Sequence, residues 1–218
     1  MRILVVRPQP GANATAGRLA ALEHEAVVYP LLETRATAWT LPAQTFDAVI
    51  LSSAAAVRHA GPVADALKGL PAHTVGDATA AAARAAGWAA VTAGPGTMQA
   101  LLAGLLAGPA RHFLHLAGAD LTPVAVPAAL SLTRVTVYET PLLPLPALPD
   151  VDAVLLHSPR TAAQFAAEWD RLAGQRGAVQ LFAISAATLA AAGSGWKQAA
   201  VAAEPTESVL LAMLRKAL

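Results

Sequence analysis

Small hydroxyl side chains recur shortly after apolar runs of the chain, and this pattern could carry chemistry. Ser53 comes after the run at 48–51 and Ser158 after the run at 153–156, while Thr79 and Thr188 follow two further short runs. If these runs are parallel strands, the hydroxyls lie at helix N-termini, where unpaired N–H groups and the helix dipole favour anions. The pattern therefore indicates an anion site, and it is equally typical of plain helix caps.

Arginines and threonines extend the same pattern. Arg7 and Arg160 are the arginines at strand–helix junctions, and either could form a two-pronged hydrogen bond to a carboxylate. Arg160 could equally be a solvated residue of a first helical turn. Thr97 and Thr206 precede two more helices and are expected caps.

The Gly-x-Gly at 94–96 lacks a third glycine, and the six histidines show no metal-ligand spacing. No dinucleotide or metal site is expected.

These residues must be positioned by short β-rich runs that alternate with longer Ala- and Leu-rich helical stretches. Such alternation predicts βαβ units and mostly parallel sheet. Ten strands are too many for one small doubly wound sheet, so two lobes are expected. The predicted strands are 3–6, 26–29, 48–51, 73–75, 89–92, 111–116, 134–138, 153–156, 179–184 and 198–201.

Parts of the chain repeat. DAVILSSAAAV (47–57) matches DAVLLHSPRTA (152–162), and TVGDATAAAARAAGW (74–88) matches AISAATLAAAGSGW (183–196). The repeats indicate two related halves, or chance similarity between Ala-rich βα units. YPLLETRA (29–36) and VYETPLLP (137–144) also share residues and have few helix features. They predict a discontinuous lobe of 1–30 plus 145–218, an inserted lobe of 38–133, and interdomain linkers at 31–37 and 134–144.

Composition excludes several classes of protein. The chain has 218 residues, 13% of them charged, with a net charge of +1 and no cysteine. Its basic residues are scattered singly, whereas a protein that binds nucleic acid concentrates them on one face. No window offers the run of strongly apolar residues that a membrane span needs, and the start does not read as an export signal. A cytoplasmic protein with no nucleic-acid or membrane partner is expected.

In their order and spacing the motifs resemble those of the uroporphyrinogen-III synthase family. The resemblance implies an α/β fold of two flavodoxin-like lobes with parallel sheets, joined by a two-stranded linker. It also implies a monomeric enzyme of tetrapyrrole and heme biosynthesis that cyclises hydroxymethylbilane with inversion of ring D and uses no cofactor or metal. The matching segments are Arg7-Pro8, Pro30, LSSAAAV (51–57), VGDATA (75–80), VTVYET (135–140), LLHSPRT (155–161), ISAAT (184–188) and PTESVL (205–210).

The resemblance also assigns roles to residues. Tyr138 matches the tyrosine of the linker and is either the proton donor or a residue that packs the hinge. The residues expected to bind substrate are Arg7, Ser53, Thr79, Ser158, Arg160, Ser185 and Thr188.

Some positions depart from the family pattern. His157 replaces a threonine, Ser185 a frequent glycine, and Ala117 and Asp120 stand where arginines are frequent. Two alternatives therefore stay open, a non-catalytic two-lobed binder of a small polyanionic ligand and an inactive relative of the cyclase.

Overall fold

The computed structural model describes residues 1–216, which form eleven β-strands and seven α-helices. The strands are β1 (Arg2–Val5), β2 (Glu25–Val28), β3 (Arg35–Ala36), β4 (Ala48–Leu51), β5 (Pro71–Thr74), β6 (Ala90–Ala93), β7 (His112–Gly118), β8 (Ser131–Glu139), β9 (Ala153–Leu156), β10 (Gln180–Ala183) and β11 (Gln198–Val201). The helices are α1 (Gly11–Ala20), α2 (Ala54–His59), α3 (Asp77–Ala85), α4 (Met98–Leu105), α5 (Pro159–Arg171), α6 (Ala186–Ala192) and α7 (Glu207–Ala212). Short 3₁₀ helices cover Pro62–Leu67, Arg176–Ala178 and Met213–Lys216.

Residue contacts divide the chain into two compact units. Unit 1 is Met1–Glu33 together with the chain from Pro141 onward, and unit 2 is Thr34–Thr140. Unit 1 has a five-stranded sheet in the order β2-β1-β9-β10-β11, and all of its pairs are parallel. Unit 2 has a six-stranded sheet in the order β6-β5-β4-β7-β8-β3, parallel except for the edge strand β3. The predicted α/β fold with two parallel sheets is confirmed.

The central strands are continuous apolar runs because helices cover both faces of each sheet. In unit 1, Leu4 of β1 packs with Phe165 of α5 on one face. Its neighbour Ile3 points to the other face and packs with Leu19 of α1 and Leu210 of α7. All five side chains are completely buried, and each burial stabilises the fold by about 1.5–3 kcal/mol. The alternation of strand side chains thus builds two cores from one sheet.

The internal repeat predicted from the sequence is confirmed in the order of elements. Unit 2 contains β4-α2-β5-α3-β6-α4, and unit 1 contains β9-α5-β10-α6-β11-α7. In both sheets the three strands of this series lie side by side in the same order. The two series therefore agree in element order and in strand neighbours as well as in sequence.

Each unit has two further parallel strands that are neighbours, β1 and β2 in unit 1 and β7 and β8 in unit 2. The units differ in the connection between these two strands. In unit 1 the connection from β1 to β2 contains helix α1, which covers one face of the sheet. In unit 2 the connection from β7 to β8, residues 119–130, contains no helix. Only α4 and parts of this irregular segment cover the corresponding face of the unit 2 sheet. Incomplete cover leaves room for a cavity.

All ten predicted strands are present, with ends that shift by at most a few residues, whereas β3 was not predicted. The segments that leave and re-enter unit 1 pair with each other antiparallel, through β3 with β8 and a bridge between Leu32 and Leu142. Residues 134–139 of the predicted linker belong to β8 and are hydrogen-bonded in the unit 2 sheet. The domain boundaries predicted from the sequence stay a prediction. Within residues 1–216 no helix combines the length and apolar character that crossing a membrane requires.

Candidate functional site

The carboxyl ends of parallel strands meet at one edge of a sheet, and each unit places polar groups there. In unit 1, Arg7, Ser158 and Ser185 follow β1, β9 and β10, which are neighbours in the sheet. Adjacent strands lie about 4.8 Å apart, so these three residues share one short edge. The structure therefore brings together the unit 1 residues that the sequence singled out at strand ends.

Ser158 and Ser185 are both helix N-caps; the sequence offered this interpretation for Ser158 but not for Ser185. The hydroxyl of Ser158 accepts from the Thr161 N–H at 3.2 Å, and that of Ser185 accepts from the Thr188 N–H at 3.2 Å. The Thr188 hydroxyl lies 2.9 Å from the Ser185 hydroxyl and is fully buried. Because the Thr188 hydroxyl is buried and contacts the Ser185 hydroxyl, it can fix the orientation of Ser185. Any effect of Thr188 at the carboxyl edge of the sheet is then indirect.

Arg7 lies inside a cluster of charged and polar side chains. Its Nη1 is 3.3 Å from Oε1 of Glu207 and 3.4 Å from the hydroxyl of Thr15. Arg18 donates to the other carboxylate oxygen of Glu207 at 2.5 Å. Arg7 therefore joins α1 and α7, and it shares the single carboxylate of Glu207 with Arg18. Arg160, by contrast, is an exposed residue in the first turn of α5.

His157 is buried beside this cluster, between β9 and the cap of α5. Its side chain is only 6% exposed, and Nε2 is 3.7 Å from Glu207 Oε1, too far for a hydrogen bond. Neither ring nitrogen has a hydrogen-bond partner. Burial, and then the positive charge of Arg7, lower the pKa of His157 to about 4, against the opposing effect of Glu207. The ring is neutral at physiological pH.

The edge of the unit 2 sheet repeats the arrangement with differences. Ser53 caps α2 by accepting from the Ala55 N–H at 3.0 Å, and Thr97 caps α4 by accepting from the Ala100 N–H at 3.2 Å. The N-cap of α3 is Gly76, without a side-chain bond. Thr79 lies in the first turn of α3 and is buried, so it is not the cap of that helix.

Unit 2 contains a cavity of about 760 Å³ at this edge. Such a volume lies within the range of small-molecule sites. One part of its lining is apolar and comes largely from the helix-free segment 119–130, and the other part is polar and comes from strand ends. The lining residues are Ser52, Ser53, Val75, Gly96, Thr97, Met98, Gln99, His115, Asp120, Leu121, Thr122, Pro123, Val124, Val126, Leu132, Arg134 and Tyr138.

Tyr138 reaches the cavity because Gly118 has no side chain. A Cβ atom at Gly118 would lie 2.5 Å from Cζ and 2.8 Å from the phenolic oxygen of Tyr138. The ring also approaches His59, with 6.2 Å between the ring centroids. The phenol is therefore held over the end of β7, at the point where β7 and β8 shift register.

Ser52, His115 and Arg134 are among the lining residues that were not predicted as site residues from the sequence. His115 Nε2 is 2.8 Å from the hydroxyl of Ser52, and Arg134 donates through Nη2 to the carbonyl oxygens of Gly118 at 2.6 Å and Ala119 at 2.9 Å. His115 is 3% exposed, and its burial together with the charge of Arg134 lowers its pKa to about 4. One signal was available, because His115 interrupts an apolar strand on the same face as Phe113.

Of the predicted site residues, Ser53 and Tyr138 share the unit 2 cavity, and Thr79 is not among its lining residues. The other predicted residues belong to unit 1, where Arg7, Ser158 and Ser185 follow adjacent strands. The roles assigned to all of these residues from the sequence stay predictions.

Two α/β units with parallel sheets, each presenting capped helix N-termini at its strand ends, define a two-domain α/β protein. The family model for uroporphyrinogen-III synthase HemD matches residues 13–212, and the chain belongs to that family. Membership makes it an enzyme, a cyclising lyase that acts on a tetrapyrrole.

Solved structures agree on the fold. A uroporphyrinogen-III synthetase from Helicobacter pylori 26695 superposes with a TM-score of 0.66 at 16% identity, covering 100% of both chains. A mutant uroporphyrinogen III synthase from the extremely thermophilic bacterium Thermus thermophilus gives a TM-score of 0.53 at 17% identity, covering 100% of this chain and 98% of the other. Among curated proteins, none matches the sequence significantly.

The contact between Gly118 and Tyr138 predicts the effect of adding one methyl group. In Gly118→Ala the clash involves the far end of the tyrosine ring, which can swing aside, so the fold should lose little stability. The phenol would then leave its place in the cavity. If Tyr138 is the proton donor that the family resemblance implies, uroporphyrinogen III formation should fall at least about 10-fold, since a well-placed general acid contributes more than that. The melting temperature should change by only about 2–4 °C, the shift expected for 1 kcal/mol in a chain of this length.

Gly104→Ala is the matched control, because Gly104 lies in α4 with no atom within 4 Å of the added methyl group. It should keep the wild-type rate and stability or gain slightly, since alanine favours helix. An unchanged rate in Gly118→Ala would show that the position of the Tyr138 ring does not matter.

The strongly lowered pKa values of His115 and His157 predict a loss of stability on mild acidification. Their pKa values of about 4 in the folded chain lie below the ordinary 6.5, so the unfolded chain binds more protons as the pH falls below 6.5. Stability is fully present above pH 6.5 and declines towards pH 4. Between pH 6.5 and 5, each histidine should cost roughly 2 kcal/mol of the free energy of unfolding.

Urea unfolding at pH 7, 6 and 5 measures this loss, in a range where most carboxylates stay ionised. His157→Gln should lose less stability over the range than the wild type, because glutamine takes up no proton. Equal pH dependence in the two proteins would contradict the neutral, buried state of His157.

Proposed function

We propose that the chain cyclises hydroxymethylbilane to uroporphyrinogen III with inversion of ring D, and that the unit 2 cavity holds the reacting end of the substrate. The observation that carries the proposal is the position of Tyr138, whose phenol lines a cavity bounded by strand-end donors. The family match favours this reading over a non-catalytic binder, and no observation favours the binder.

Substrate carboxylates are proposed to bind at the strand-end edges. Hydrogen bonds between charged and uncharged groups contribute about 1.5–3 kcal/mol each, so several of them hold a polyanion without a basic face. In unit 2 the donors are backbone N–H groups at the N-termini of α2 and α4, which Ser53 and Thr97 cap. Thr79 packs in the buried first turn of α3 and helps to hold that helix in place. In unit 1 they come from the N-termini capped by Ser158 and Ser185, with Arg7 and Arg160 as the nearby cations.

The chemistry is proposed to begin with a proton from the phenol of Tyr138. Protonation turns the hydroxyl of ring A into water, which leaves and creates an azafulvenium cation. The substituted α-carbon of ring D attacks this cation to form a spiro intermediate, which fragments and closes again with ring D inverted. The final closure releases one proton from ring D, which restores the phenol, so the reaction balances without any redox cofactor.

The main work of the protein in this scheme is to fold a flexible chain into a reactive geometry. The substrate is reactive by itself and closes without inversion when it is not held. Holding the ends in place supplies a proximity effect. Apolar residues of the cavity, such as Val124 and Leu132, suit the pyrrole ring, while the polar side suits its carboxylate substituents.

Hydroxymethylbilane is proposed as the only partner, with neither nucleic acid nor membrane, and a cytoplasmic monomer as the working form. The low net charge of +1 and the scattered basic residues support the first part. The scheme uses residues of a single chain, which is consistent with a monomer.

An isomer-resolved assay tests the proposed activity. Hydroxymethylbilane is generated by its upstream deaminase in the presence of the chain, the products are oxidised, and the porphyrin isomers are separated by chromatography. We expect the type III isomer to dominate with the chain present and type I without it. Type I alone in both samples would leave the chain a binder or an inactive relative.

Tyr138→Phe tests the proposed proton donor. Loss of general-acid catalysis should lower kcat about 100-fold while KM changes little. Tyr29→Phe is the matched control, because the only other tyrosine packs against the unit 1 core and should keep the wild-type rate. If Tyr138→Phe retains most of its turnover, the phenol is not the acid and Tyr138 has a packing role.

A further inference from the structure

Ser52, His115 and Arg134 come from adjacent strands and lie on the cavity side of the unit 2 sheet. His115 on β7 is in register with Ile50 on β4 and with Arg134 on β8. Ser52 follows the end of β4, two residues after Ile50, and therefore points to the same face. All three residues line the cavity. The sheet register thus fixes one hydroxyl, one imidazole and one guanidinium side by side.

The imidazole of His115 orients the hydroxyl of Ser52. The 2.8 Å contact joins Nε2 to the hydroxyl oxygen, and the ring is almost completely buried. Burial and the neighbouring Arg134 keep the ring neutral, so it carries a hydrogen on only one nitrogen. When that hydrogen is on Nε2, His115 donates to the Ser52 oxygen and the Ser52 hydroxyl hydrogen is directed away from the ring, to a ligand.

Arg134 is fixed at the same place by the backbone. Its Nη2 donates to the carbonyl oxygens of Gly118 and Ala119, which ties the guanidinium to the end of β7. Along the described lining of the cavity, Arg134 is the only arginine or lysine. Within this lining a carboxylate therefore meets a cationic side chain at Arg134, next to Ser52.

We propose that Ser52, His115 and Arg134 form a carboxylate subsite that takes one acidic substituent of a pyrrole ring of the substrate. Arg134 supplies the positive charge and the remaining N–H groups of its guanidinium, and Ser52 supplies a hydroxyl donor. His115 is a positioning residue that acts through Ser52. The inference rests on the proposed function, since it adds a binding contact to the same cavity.

The test uses initial rates with hydroxymethylbilane and reads KM and kcat separately. Arg134→Gln should raise KM about 10- to 100-fold, the value of one charged hydrogen-bonding contact, with kcat within about 3-fold of the wild type. Arg111→Gln is the matched control. Arg111 also donates to two backbone carbonyl oxygens but lies before β7, at the opposite edge of the sheet, so KM should not change.

A double-mutant cycle tests the pairing of Ser52 with His115. Ser52→Ala and His115→Leu should each raise KM about 5-fold, and the double variant should be no worse than either single variant, because both remove the same donor. His115→Gln keeps an N–H group near the position of Nε2 and should recover most of the loss seen in His115→Leu. A merely structural role of His115 would lower the melting temperature without this pattern in KM.

Particular results of these experiments would rule out the proposed carboxylate subsite. Unchanged KM in Arg134→Gln, or fully multiplicative effects in the Ser52/His115 cycle, would rule it out. If Arg134→Gln does not fold, Arg134→Lys keeps the charge but not the fork, and KM should still rise about 5-fold. An unchanged KM there rules the subsite out equally. These failures differ from failure of the proposed function, in which the wild-type chain itself would produce no type III isomer.

Discussion

Burial of two parallel sheets on both faces is the constraint on which the rest of the structure depends. Parallel strands need crossovers, and each crossover that contains a helix both covers a face and delivers a helix N-terminus to the carboxyl edge of the sheet. The same crossover helices that bury the apolar strands β4 and β9 therefore place rows of unpaired N–H groups at the carboxyl edge of each sheet. Ser53, Ser158 and Ser185 cap these termini and mark the edges in the sequence.

The cavity of unit 2 lies where a crossover contains no helix. The crossover from β7 to β8 lacks the helix that α1 provides between β1 and β2, so one face of the unit 2 sheet is only partly covered. Strand-face positions that would otherwise be filled by core side chains can then be polar, and His115 and Arg134 occupy them. The penalty for burying an imidazole there is met by keeping it neutral and bonded to Ser52.

Two arginines near the strand ends have interaction partners close to them. Arg7 is paired with Glu207, and Arg134 is tied to backbone carbonyl oxygens. Such pairing explains how a chain with a net charge of +1 can belong to a family that acts on an acidic tetrapyrrole. In the proposed function, anion affinity comes from oriented N–H groups at fixed positions, which would give selectivity for the shape of a ligand as well as for its charge.

The sequence by itself determined the fold class, the ten longer strands, the internal repeat and the caps at Ser53 and Ser158, because these follow from periodicity and local hydrogen bonding within a few residues. It did not reveal β3, which is two residues long and exists only through its pairing with β8. Nor did it reveal that Thr79 is no cap, that Arg7 is paired with Glu207, or that Ser52, His115 and Arg134 meet. The meeting of Ser52, His115 and Arg134 depends on strand register and on a missing crossover helix, and the contact between His115 and Ser52 joins residues 63 positions apart. The pair of Arg7 and Glu207 depends on the packing of two helices that are distant in the sequence. Only the tertiary structure could decide these facts.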